Sequence, residues 1–119
     1  QNPVFGVGFN TYRYAQSQYG FFSPDEPLGG HSGAGSDSSL LLIAATTGIL
    51  GLTAYLLFML SIFKTLIGES RKSYIGLSAL ASFSAIVLHS QFVNSFFYPQ
   101  IMILIWFTLG LVYVAGKNP

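Results

Sequence analysis

Residues 40–63 and residues 74–116 contain no Asp, Glu, Lys or Arg. Each stretch is long enough for one or two helices crossing a hydrocarbon layer ~30 Å thick, at ~20 residues per crossing. The expected class is therefore all-α: an integral membrane helical bundle fragment with three transmembrane helices, preceded by an extracytoplasmic loop carrying a short interfacial helix.

Composition agrees with that class. The chain is 51% hydrophobic, 16% aromatic and only 8% charged, values typical of membrane proteins rather than soluble domains. With a net charge of +1 and no basic cluster beyond Arg71-Lys72, nucleic acid is not an expected partner. The absence of cysteine excludes disulfides and thiolate metal sites. His31 and His89 lie on separate segments without helical pairing, so neither a metal nor another cofactor is expected. The start Gln1-Asn2-Pro3 has the features of neither an initiator nor a signal peptide. The chain reads as part of a longer protein whose upstream helices are missing partners.

Residues 1–39 hold most of the turn formers, from Pro3, Gly6 and Gly8 to Gly33 and Gly35, and form an aqueous loop. Within it, Asn10 or Thr11 precedes a short helix over about 11–19, with Phe9, Tyr12 and Tyr19 on roughly one side, suited to the membrane interface. Transmembrane helices are expected over 40–63, 74–97 and 100–116. A loop at 64–73 holds Lys64, Arg71 and Lys72, and a tail at 117–119 holds Lys117. The positive-inside rule puts both basic flanks in the cytoplasm. The loop 1–39 and the turn near Asn94 then face outward, and Arg13 is the one basic residue on that side.

Polar residues are few enough to weigh singly. Arg13 stands between Tyr12 and Tyr14 as an interfacial anchor or as a guanidinium fork for a diphosphate. His31 is a solvated loop histidine or a base. Asp37 sits at the mouth of the first span. His89, Ser90, Gln91, Asn94 and Ser95 fall in the outer third of the second span and should face protein or water, fixing helix register or touching substrate. Ser78, Ser82, Ala85 and His89 form one small-residue face, and Ala44, Gly48, Gly51 and Tyr55 another. Close packing of these two faces is expected to bring His89 towards Asp37.

Asn2-Pro3-Val4-Phe5-Gly6-Val7-Gly8 ahead of a loop, then Asp37-Ser38-Ser39-Leu40 and Thr46-Thr47-Gly48-Ile49-Leu50-Gly51, resembles the C-terminal part of the O-antigen ligase and polymerase family. Phe92-Val93-Asn94-Ser95-Phe96-Phe97-Tyr98-Pro99 resembles a turn of some members. The resemblance implies a multi-pass protein of the bacterial inner membrane. It implies a polyprenyl-diphosphate-linked glycan as donor, a glycan or lipid hydroxyl as acceptor, membrane lipid as surroundings, and no nucleotide sugar or metal. It further implies that a loop arginine, here Arg13, holds the donor diphosphate. The family's histidine base aligns with Asp37, with His31 six residues earlier, which favours the polymerase over the ligase branch. Asp37 and His31 are thus the expected catalytic residues, and Arg13, His89 and Asn94 the expected substrate-binding ones. A transporter or flippase fragment and a non-catalytic assembly subunit are the alternatives.

Overall fold

The computed structural model describes residues 3–26, 29 and 35–117, and contains no strand among them. In chain order it forms α1 (Tyr12–Gln18), α2 (Ser39–Ser70), α3 (Tyr74–His89), a single 3₁₀ turn (Ser95–Phe97) and α4 (Pro99–Lys117). Two helical segments, Ser39–Ser70 and Pro99–Gly116, are long and apolar enough to cross a membrane, while α3 is apolar but shorter. Only 17% and 11% of their most apolar windows are buried within the chain. A core helix of a soluble protein would be mostly covered, so most of this apolar surface is left for something other than this chain to cover.

α3 packs against both long helices. The core runs along its buried side, where Ala79 and Phe83 meet Leu66 of α2, Ile105 and Val112 of α4, and Phe96 of the 3₁₀ turn. Phe83 packs edge-on against Phe63 at 5.0 Å and against Phe96 at 6.4 Å, and Tyr55 packs edge-on against Phe96 at 6.1 Å. The expected packing of small-residue faces is not the one observed. Ser78, Ser82, Ala85 and His89 are exposed, and α3 buries Gly76, Ala79 and Phe83 instead. Both sides of α3 are apolar, so spacing alone could not choose between them; the aromatic Phe83 and the closest backbone approach decided it.

That approach lies at Gly76, where a Cβ would collide with the carbonyl oxygen of Glu69 and come within 2.9 Å of Ser70 N. Gly76→Val should therefore destabilise the bundle by about 1–3 kcal/mol, the usual cost of overpacking. A thermal melt in detergent is the check, and an unchanged midpoint would refute close packing at this crossing.

Two helix ends differ from the sequence expectation. α2 continues through Lys64 to Ser70, because Leu66 remains fully buried and keeps the last turns packed. The expected 64–73 loop shrinks to Arg71–Ser73, closed by the Lys72 and Ser73 amides on the Glu69 carbonyl (3.0 and 3.2 Å) and by a Lys72–Glu69 ion pair at 2.7 Å. The next helix is capped by Ser73 Oγ, which accepts from Gly76 N at 3.0 Å. α3 stops at His89 rather than near 97, as Ser90 Oγ and Gln91 Nε2 both donate to the Val87 carbonyl, at 2.7 and 3.0 Å, and the chain turns. Short polar side chains that bond the backbone compete with helix continuation.

The most unusual element is a break inside α2. Gly48 has φ 65° and ψ −163°, a conformation outside the helix. In an unbroken helix the amides of Ile49 and Leu50 would donate to the carbonyls of Ala45 and Thr46. They donate instead to Pro3 O (3.0 Å) and Val4 O (3.4 Å), while the freed Ala45 and Thr46 carbonyls accept from Val7 N and Gly8 N, each at 2.9 Å. Residues 3–8 thus enter the break as a clasp and satisfy both half-helix ends. Thr46 and Thr47 prepare the site, their hydroxyls donating back to the carbonyls of Leu42 and Ile43 at 2.7 Å, a bond that bends helices.

Candidate functional site

The start of α2 and the end of α3 meet at one end of the bundle through serines and an asparagine. Ser38 caps α2, its Oγ accepting from Leu41 N at 3.4 Å. Ser39 is fully buried: its amide donates to the Ser90 carbonyl at 2.9 Å and its hydroxyl donates to Asn94 Oδ1 at 3.1 Å. These bonds carry out the convergence that the small-residue faces were expected to provide.

The clasp brings the loop to the same end. Two residues after Gly8, Asn10 turns the chain with φ 64°, the one positive φ at a non-glycine position among the described residues; asparagine tolerates that conformation better than most side chains. The Thr11 hydroxyl donates to the Gly8 carbonyl at 2.8 Å and to that of Val7, just ahead of α1. α1 then presents Tyr12 and Arg13 towards α2. The result is a cavity of about 190 Å³ lined by Asn10, Tyr12, Arg13, Thr46, Asn94 and the apolar Phe9, Leu42 and Phe97.

Arg13 is half-buried and makes no hydrogen bond or ion pair to another described residue. Its five N–H donors are directed to nothing within the described protein, which suits a planar fork for an oxyanion. Of the residues named from sequence, Arg13 and Asn94 share this cavity. Asp37 is not among the lining residues; it directly precedes Ser38, and a Cβ on Gly35, two residues before it, would lie 3.3 Å from Leu42 Cδ1 and 4.0 Å from Asn94 Nδ2. The Asp37 side chain is exposed and forms no ion pair with the described residues. His31 lies outside the described residues.

His89 is not a wall of this cavity. It ends α3, with Nδ1 2.6 Å from Ser95 Oγ, and the buried Ser95 hydroxyl also reaches the Val93 carbonyl at 3.3 Å. That contact ties α3 to the 3₁₀ turn, the register-fixing alternative for this histidine. Sequence reasoning did not single out Asn10, Tyr12 or Thr46 as cavity residues. The signal available was the Thr46-Thr47-Gly48 run, but its meaning depends on residues 3–8 folding onto it. Comparison with protein families, with curated proteins and with solved structures found no match to this chain.

Proposed function

We propose that the chain is the C-terminal part of a membrane glycan polymerase or ligase, transferring a polyprenyl-diphosphate-linked glycan to a sugar or lipid hydroxyl at the outer face of the bacterial inner membrane. The observation that carries this reading is the cavity that joins Asn94 to an Arg13 with no partner among the described residues. The transfer is inverting. Asp37, or His31, takes the proton of the acceptor hydroxyl, and the oxygen attacks the anomeric carbon. The bond from that carbon to the diphosphate oxygen breaks, and the electron pair leaves with the diphosphate. Arg13 offsets the growing charge, an interaction stronger in the transition state than in the ground state.

The broken α2 lends some support to a transporter, since half-helix ends often meet substrate in transporter cores. Here, however, the clasp occupies those ends and bonds their amides and carbonyls. The free donors lie in the Arg13 cavity instead, which favours surface chemistry.

Asp37→Asn in the complete protein, produced in cells whose surface glycan depends on it, should slow transfer by about 10²–10⁴-fold, the usual contribution of a general base. The glycan ladder on a gel would then collapse to its shortest rungs. A normal ladder from normally expressed Asp37→Asn and Arg13→Ala variants would sink the enzymatic reading and leave an assembly role.

A further inference from the structure

A second hollow, of about 350 Å³ and not lined by Arg13, lies between α1 and the Ala44–Ala45 face of α2. Tyr12 borders both spaces, so the two adjoin across one side chain. The polar and aromatic members of the second hollow are Tyr12, Gln16, Tyr19 and Phe21, and none of its lining residues is charged. Tyr19 and Phe21 stand with ring centroids 6.5 Å apart at 54°, both largely exposed. Gln16 Oε1 is buried and has no hydrogen-bond partner among the described residues.

An amide atom shut away from water without a partner is costly and uncommon in native proteins, and calls for a ligand or water. We propose that this hollow is a saccharide subsite, in which the Gln16 side chain turns its amide out to a sugar hydroxyl and the ring lies against Tyr19 and Phe21. The inference rests on the glycan-transfer reading and adds where a glycan residue is held. The absence of charge in the lining argues against an ionic ligand. A lipid chain would leave Gln16 unsatisfied, whereas a sugar hydroxyl both donates and accepts and so meets the amide in either of its two rotations. Aromatic faces give a pyranose ring a flat apolar surface for its C–H side, and a few placed polar groups then fix its orientation. Because Tyr12 lines both spaces, a sugar in this hollow would lie next to the Arg13 cavity, a placement suited to holding a glycan residue beside the reacting end.

The test is saturation-transfer NMR on the complete protein in an amine-oxide detergent, which carries no sugar of its own, with methyl β-glucoside and di-N-acetylchitobiose as probes. Saturation should reach the ring C–H protons of at least one probe. Gln16→Leu should weaken that binding by about five- to ten-fold, the loss of one hydrogen bond. Its melting temperature should equal or exceed that of the unaltered protein, because an unsatisfied amide has been removed. Phe21→Ala, a change at an exposed ring, should abolish the transfer without unfolding the chain, and it stands as the test if Gln16→Leu fails to fold. No transfer to either probe, or undiminished transfer in both variants, overturns the subsite and leaves Gln16 bonded to water alone. Binding is read here without any transfer reaction, so its failure leaves the glycan-ladder result standing, and a failed ladder test leaves the binding result standing.

Discussion

Gly48→Ala should unfold the end of this chain that holds residues 3–50, while Gly68→Ala, further along the same helix, should stabilise it. At Gly48 the backbone has φ 65° and ψ −163°, a region essentially restricted to glycine, where any other residue costs about 1–3 kcal/mol. The added methyl would also strike the Val4 carbonyl oxygen and lie 2.6 Å from Gly6 N. Both contacts are with backbone, so no rotamer change relieves them. Expelling the clasp strands the bonds of Pro3, Val4, Val7 and Gly8, and each buried backbone group left unsatisfied costs about 1–3 kcal/mol. The combined loss should exceed about 3 kcal/mol, a fall in melting midpoint of more than about 10 °C for a chain of this size. At Gly68 nothing lies within 4 Å of the added carbon, and the gain expected from replacing a helical glycine is about 0.5–1 kcal/mol. Melting both variants in one detergent decides the matter. Midpoints that move together would mean the break is not held by the clasp.

On the proposed function, Arg13→Ala should lower glycan transfer by about 10²–10³-fold, the loss typical when one preorganised donor to a developing oxyanion is removed. Folding should be little affected, because the side chain bonds no described residue. The turnover number should fall more than the affinity for the donor lipid, since the proposed contact would strengthen as the diphosphate departs. Arg13→Lys should recover only part of the rate: the charge remains but the planar two-pronged fork is lost. Transfer from purified lipid-linked donor gives both constants. Equal activity of the Ala variant and the unaltered protein would remove Arg13 from the reaction.

Much of the helical outline could be read from charge alone. The uncharged runs located the long helices, whereas the capping of α2 by Ser38, whose side chain accepts from Leu41 N, was not read from the sequence. The short helix, expected over about 11–19, forms over Tyr12–Gln18. Helix ends were harder to read, since Lys64 can remain in a helix that stays packed through Leu66, and no local rule distinguishes that case from a stop. The break at Gly48 was beyond local reasoning for a different reason. A Thr-Thr-Gly run in an apolar helix ordinarily reads as small-residue packing, and only a partner from the far N-terminus turns it into an open joint. The candidate site depends on the same long-range event: Arg13 and Asn94 were visible as isolated polar residues, but their meeting requires residues 3–8 to be anchored first.

That anchoring has an entropic side. By bonding residues 3–8 to residues 45–50, the clasp ties off a ring of roughly 40 residues, whose closure costs about 3 kcal/mol by the (3/2)RT ln n rule, beyond a constant. Secreted domains commonly fix such rings with a disulfide. This chain has no cysteine, and four main-chain hydrogen bonds around two facing glycines serve as its cross-link, one that no reductant can open.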